Sequence, residues 1–572
     1  MPPRVTPEAS GRRQTSRTSP NGPTGQPETT DEAARIKITS ASASSDESAA
    51  AELRSFDDLV ELATHDVTST DARTSTDART SADARTEGPA GSGAGAGAGA
   101  GASAGEGAAE AAGRADTRRV GIELEWLVVD VARPSRSVPP DETAAALVEA
   151  LGTTGALRTT GALGTAGASV RSALPGPGPG PGPGAGPPAP PTSPSLPSLP
   201  GGSRLTFEPG GQLELSGPPL PLADAVAAMR GDLTLVRGAL ARHGLGLAGL
   251  GVDPLRPPRR HTAASRYVAM EEHFRAVGGE AGLTMMCSTA SVQVNLDSGA
   301  DVAQTVERFR LAHALEPVLI AMFAASPMPA DQPIAWQSGR QEVWARIDPS
   351  RTGPVLPDPT VPPTDWNPRG GTDHLAWLWA RYLRDAHLMM IAGDDGEYQA
   401  VGHRATFGDW LAGGRAAPST RRPTRQDLGW HATTLFPPVR PRGWLELRYL
   451  DAQPSELWPV PVAVASVLFD DPLAAREALA ASVAVAGRAR LAARLGLRDP
   501  ALHRAAVRCV DLAVEALTRA GGDPELRLAV EAFADRYTRR RRSPADDLSL
   551  RLAARGPAEL LREEASQCVL VP

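Results

Sequence analysis

Glu123 and Glu125 stand two residues apart in the run VGIELEWLVVD, which is otherwise almost wholly apolar. The pattern recurs. LTFEPGGQLELSG carries Glu208 and then Gln212, Glu214 and Ser216, SVQVNLD carries Gln293 and Asn295, and WLELRYLD carries Glu446 and Arg448. Successive side chains on a strand point to opposite faces, so residues two apart share one face at roughly 7 Å. Four strands thereby offer a carboxylate, an amide or a guanidinium on one side, with Ile122, Leu124, Trp126 and their counterparts on the other. Carboxylates converging on one surface repel each other and hold their protons with raised pKa values, a penalty that a hard divalent cation removes. Oxygen donors with little His or Cys suit Mg²⁺ or Mn²⁺ over zinc, and Mg²⁺ held this way keeps positions for substrate phosphates. The competing reading is a set of half-solvated strands whose glutamates face water, common in antiparallel sheets. Repetition over four strands, one with an arginine, favours a shared cation site if the strands are neighbours.

The elements that must bring these strands together are legible from periodicity. DETAAALVEALG, LADAVAAMRGDLTLVRGALARHG and VAQTVERFRLAHALEPVLIAMFAAS read as helices, and from about Asp470 onward Ala, Leu and Arg recur at helical spacing between Gly and Pro breaks. Strands interleaved with long helices predict an α+β domain whose sheet is covered by helices on one face. Residues 1–116 are Ser, Thr, Ala, Gly and Asp with hexad and Gly-Ala repeats, and read as a disordered tail in which SFDDLVELATHD is a weak helical exception, with a docking peptide as its functional reading and an incidental transient helix as the favoured, plainer one. A catalytic domain is expected over residues 117–565, interrupted at 153–203 by a disordered Pro/Gly-rich insertion.

Composition narrows the chemistry. A net charge of -7 gives no basic field for nucleic acid. Lys37 is the only lysine and lies in the tail, which excludes a P-loop lysine, a Schiff base or a lysine base, so arginines and metal must neutralise any nucleotide. Cys287, Cys509 and Cys568 are widely spaced, arguing against a disulfide framework or structural zinc. The N-terminus lacks an apolar h-region and no apolar run approaches a membrane span, so a soluble cytoplasmic protein is expected, with no membrane, nucleic-acid or obligate protein partner.

In order, GIELEW, LTFEPGGQLELSGPP, MMCSTASVQVNLDSGAD, SGRQEVWARIDPSRTG and HATTLFPPVRPRGWLELRYLDAQP resemble the glutamate-cysteine ligases of the plant and actinobacterial type. The likeness runs from about Arg119 to near Pro454, with a weaker helical continuation to about Glu564. That family is similar to glutamine synthetase. The resemblance implies a curved, mainly antiparallel sheet with an acidic inner face binding two or three Mg²⁺ ions and ATP, with helices on the outer face and a helical C-terminal region. It further implies an ATP-dependent ligase that joins L-glutamate to L-cysteine through a γ-glutamyl phosphate. The Arg-, Ala- and Gly-rich usage with one lysine is that of a GC-rich genome, so the actinobacterial version feeding ergothioneine synthesis is the most similar. Two alternatives stay open: a ligase joining glutamate to another amine, and an inactive metal- and nucleotide-binding regulator.

By motif position, Glu123, Glu125, Glu208, Glu214, Gln293 and Glu446 are the expected metal ligands, with Asn295 beside them as a substrate or phosphate contact. Arg448 is expected at the transferring phosphoryl group, with Glu446 its catalytic neighbour, because a planar guanidinium binds two oxygens at once. A structural ion pair between the two is the plainer alternative. The resemblance assigns Arg340, Trp344 and Arg351 to recognition of the glutamate carboxylates, and charge alone makes Arg346 equivalent. His431, Thr433 and Thr434 fall in the family's nucleotide region, although a lone histidine is more often structural. Cys287 precedes a buried strand and reads as a packed thiol, and Arg539 to Arg542 as the solvated end of a helix.

Overall fold

The computed structural model describes residues 51–68, 118–153, 196, 199–277, 279–328, 335–361, 374–393, 396–402 and 404–566. The alternating segments become strands β1 (Val120–Asp130), β2 (Arg204–Phe207), β3 (Leu213–Ser216), β4 (Leu245–Ala248) and β5 (Ser291–Asp297). They are followed by β6 (Met390–Ala392), β7 (Tyr398–Ala400), β8 (Val439–Pro441) and β9 (Trp444–Asp451). Strands β6 and β7 pair only with each other, and the remaining seven form one sheet in the order β2-β3-β1-β5-β9-β8, with β4 on the far half of β1. Every pairing in it is antiparallel. The expected α+β class and the adjacency of the acidic strands are both present.

Helices cover one face. Leu124 and Trp126 of β1, Val292 and Val294 of β5, and Leu445 and Leu447 of β9 are buried. They lie under the helices Leu222–Ala241, Val302–Phe323 and Pro459–Asp470. Each such side chain contributes roughly 1.5–3 kcal/mol by leaving water. Three of the C-terminal helices start by one local rule. Asp471, Asp499 and Asp523 each precede a proline and cap the following helix by accepting its first backbone N–H groups. The proline costs nothing there, because its missing N–H would have had no partner in the first turn. Among the described residues no helix is long and apolar enough to cross a membrane.

Two boundaries differ from the sequence expectation. The unpacked tail does not extend unbroken to residue 116: Phe56–Thr68 is a helix, and Leu53, Leu59, Ala63 and Val67 are buried against the catalytic region. The apolar residues recur every fourth position, but over a run too short to outweigh the polar composition around it. The insertion also ends earlier than residue 203. Leu199 is buried, and the amides of Gly201 and Ser203 donate to Asp232 at 2.7 and 3.0 Å, fastening 199–203 to the helix Leu222–Ala241. Residues 1–50, 69–117 and 154–195 lie outside the described residues.

Candidate active site

The face of the sheet opposite those helices carries the expected polar row. Glu125 of β1 lies directly opposite Glu214 of β3, and Glu123 is flanked by Ser216 on one side and Gln293 of β5 on the other. Like charges at directly opposed positions of neighbouring strands are destabilising. Glu208, placed by the turn between β2 and β3, joins the pair: one carboxylate oxygen each from Glu125, Glu208 and Glu214 lie within 4.8 Å of one another. Burial and then the charge of Glu214 push the Glu125 carboxyl above its usual range. Ser216 Oγ donates to Glu214 at 2.6 Å. An all-oxygen, repelling, partly buried donor set fits a hard divalent cation such as Mg²⁺.

Glu446 stands apart from that group. Its two oxygens accept a bidentate pair from Arg440 at 2.8 and 2.9 Å, and Arg448 Nη1 donates to it as well. Burial would raise the Glu446 carboxyl, but Arg440 and Arg448 outweigh burial and hold it well below the usual range. Of the expected ligands, Glu446 is thus already neutralised by protein cations, and Glu123 accepts from Asn295 Nδ2 at 3.0 Å. Gln293 bridges the two halves of the row, donating to Glu125 at 2.9 Å and accepting from Arg448 at 2.7 Å. Trp444 Nε1 donates to Asn295 at 3.1 Å.

Arg440 was not singled out by sequence reasoning, yet a signal existed. Gly443 has φ +77 and closes the two-residue connection between β8 and β9, whose register sets Arg440 against Glu446 rather than against Leu445. Such loops end in a left-handed residue, where glycine is unstrained.

Arg340 and Trp344 project from the short helix Gly339–Ala345 onto the same face. Arg340 is buried, and one of its nitrogens donates to the backbone oxygen of Arg448 at 2.8 Å. Its Nε and Nη1, and Nε of Arg448, have no hydrogen-bond partner among the described residues. Three unpaired guanidinium donors out of water are costly unless an anion fills the space they face. Trp344 packs edge-on against Phe436 at 5.4 Å, and Arg340 and Arg448 lie over the two rings at 5.6 and 6.0 Å. Asp451 sets where this helix begins, accepting from Ser326 Oγ at 2.7 Å and from the capping Ser338 at 2.9 Å.

Other expected site residues are placed elsewhere. Arg351 is fully buried, and its guanidinium is committed to Asp348, to the Thr434 oxygen at 2.8 Å and to the His387 oxygen at 2.7 Å. It ties three loops together and has no donor left for a substrate carboxylate. His431 is buried against Phe407 and bonds through Nε2 to the Leu383 oxygen at 2.9 Å; burial pulls its pKa down to about 3, so the ring is neutral and fixed. Thr434 is buried, its hydroxyl donating to the His431 oxygen at 2.7 Å. Arg346 is exposed on the end of its helix. Cys287 is buried and unpaired, with burial pushing its thiol up to about 12, in keeping with a packing role. The sequence motifs marked these residues by neighbourhood in the chain, whereas side-chain direction assigned them to the interior.

Residues 119–564 match the glutamate-cysteine ligase family 2 (GCS2). A glutamate-cysteine ligase EgtA of Mycolicibacterium smegmatis is 49% identical over 65% of this chain and 83% of its own. A chloroplastic glutamate-cysteine ligase of Medicago truncatula is 30% identical over 56% of this chain and 63% of its own. A solved glutamate-cysteine ligase (gshA) of Francisella tularensis in complex with AMP aligns at 11% identity over 79% of this chain and 88% of that one, with a TM-score of 0.45 that carries no further argument.

Proposed function

We infer, from the premise that this chain belongs to glutamate-cysteine ligase family 2 and is a ligase joining glutamate to cysteine, that it works through ATP and a γ-glutamyl phosphate. The observation that carries this reading is the set of unpartnered guanidinium nitrogens on Arg340 and Arg448 beside the Glu125, Glu208 and Glu214 carboxylates. A face that gathers carboxylates for a cation and spare cationic donors for an anion suits a phosphoryl group meeting a carboxylate. Glu125, Glu208 and Glu214 would hold Mg²⁺, which would supply neutralisation of phosphate charge there.

The chain's own residues do the positioning. Arg340 binds a glutamate carboxylate through its two free donors, and the Trp344 and Phe436 rings keep water from that contact. Arg448, held by Glu446 and Gln293, turns its free Nε to the transferring phosphoryl oxygens. A carboxylate is a poor acyl donor because oxide is a poor leaving group. Transfer of the terminal phosphoryl group of ATP to a γ-carboxylate oxygen, with its bond to ADP broken and ADP released, changes the leaving group to phosphate. The cysteine amine then attacks: a C–N bond forms, the acyl C–O bond to phosphate breaks, and the amine gives up a proton. Similarity to EgtA supports γ-glutamylcysteine for ergothioneine synthesis as the product's destination.

The test is ATP-dependent phosphate release with glutamate and a panel of amines, together with mass detection of the product. Phosphate and γ-glutamylcysteine formed with cysteine at rates well above those with alanine, serine or glycine support the reading; equal rates with unrelated amines overturn it. Arg340→Lys should raise the KM for glutamate about tenfold or more while leaving the KM for ATP within twofold, because an ammonium cannot reproduce the planar fork. An unchanged glutamate KM would remove Arg340 from substrate binding.

A further inference from the structure

We propose that residues 51–68 form a non-covalently docked positioning element for the active-site hairpin, with Asp66 as its positioning residue; the effect on turnover rests on the ligase reading above. The segment is held at both ends. At its start, Glu52 bridges to Thr424, with Leu53 N donating to the Pro423 oxygen at 2.8 Å and Arg425 N to the Ala51 oxygen at 3.0 Å. Along its length the helix Phe56–Thr68 lies on the helix His374–Asp385. Phe56 meets Trp377 edge-on at 6.5 Å, and Arg384 sits 4.9 Å from the Phe56 ring. Leu59 and Ala63 are fully buried there.

The far end touches the catalytic sheet. The Asp66 carboxylate accepts from Trp379 Nε1 at 2.8 Å, and its backbone oxygen accepts from the amide of Gly443, the tip of the β8–β9 hairpin. From that tip the connections run into the polar row. Trp444, next to Gly443, donates to Asn295, which donates to Glu123. Arg440, three residues back from the tip, holds Glu446 and so fixes the anchor of Arg448. Without the segment the Gly443 amide loses its partner and an apolar face opens beside the hairpin, leaving the tip free to move. The side chains that docking steadies are those on which turnover depends, which makes the surface more than a stabilising patch. The groove's partner is defined by chemistry: an amphipathic helix with a large apolar residue at its start, small and branched apolar residues every fourth position, and an acid at its end.

The test uses the chain lacking residues 1–69 and a synthetic peptide of residues 50–69. The expected result is a kcat per folded molecule at least tenfold below the full chain, restored saturably by the peptide, with restoration halved or worse when the peptide carries Leu59→Asp. Hydrogen exchange at Gly443 and Trp444 should slow on peptide binding. Full kcat in the truncated chain, or a peptide that binds without changing kcat and exchange, overturns the proposal. If the truncated chain fails to fold, the full chain decides. Asp66→Ala should lower kcat severalfold with the KM for ATP within twofold, and Asp66→Asn, whose amide oxygen still accepts from Trp379, should recover it; equal kcat in all three overturns the assignment. If the full chain releases no phosphate at all, the ligase reading has failed. The exchange measurement at Gly443 in the full chain carrying Leu59→Asp, which breaks the docked apolar face, then decides the docking claim alone, with unchanged exchange overturning it.

Discussion

Glu125→Gln is expected to make the metal-free protein more heat-stable and the enzyme at least about 100-fold slower, the scale on which lost ligand support lowers metal affinity or activity. The two effects have one origin. The Glu125 carboxyl is raised by burial and by the opposed Glu214, so the folded metal-free protein binds a proton there more tightly than the unfolded chain does. Stability must therefore fall as pH rises from the ordinary carboxylate range through the folded pKa, and be greatest on the acid side. Glutamine keeps the shape and the bond from Gln293 but not the charge, so that segment of the pH profile should flatten. Mg²⁺ should raise the Tm of the wild type more at pH 7.5 than at pH 5.5, and should do little for the variant. A variant with a lower metal-free Tm and an undiminished Mg²⁺ shift would move the cation away from Glu125.

Arg440→Met is expected to cost about 3–5 kcal/mol, the usual penalty for leaving one member of a buried ion pair behind. Both Glu446 oxygens accept from Arg440, and both residues are almost wholly buried. Methionine fills much of the volume but leaves Glu446 to Arg448 alone. That draws Arg448 from its bond to Gln293, so kcat should fall with stability. Adding Glu446→Gln to the variant should recover part of the stability, since no uncompensated carboxylate then remains, but none of the activity. Chemical denaturation followed by circular dichroism measures the first effect, and phosphate release the second. A change within about 0.5 kcal/mol, the range of an ordinary surface substitution, would show that the hairpin does not depend on this pair.

Much of this architecture follows from two-residue alternation. Because the period of a strand is two, the sequence alone determined that Glu123, Glu125, Glu214, Gln293, Asn295 and Glu446 would share faces opposite buried leucines and valines, whatever the strand order. It also determined where three of the C-terminal helices begin, since an Asp before a Pro is a local signal that needs no tertiary partner. Strand order and register belong to the tertiary structure. Only the β3-β1-β5-β9 neighbourhood sets Glu214 opposite Glu125, and only the hairpin register sets Arg440 on Glu446, which separates a half of the row whose carboxylates oppose one another from a half already neutralised by arginines. Arg351 and His431 lay within motifs as suggestive as that of Arg340. Hydrogen-bond partners decided between the two arginines, because a guanidinium whose donors are all taken, as those of Arg351 are by Asp348, Thr434, His387 and His273, has nothing left to offer a substrate. The helix of segment 51–68 was faintly legible, but its docking was not: its apolar side chains gain by burial only when a groove from residues more than three hundred positions away is present to receive them.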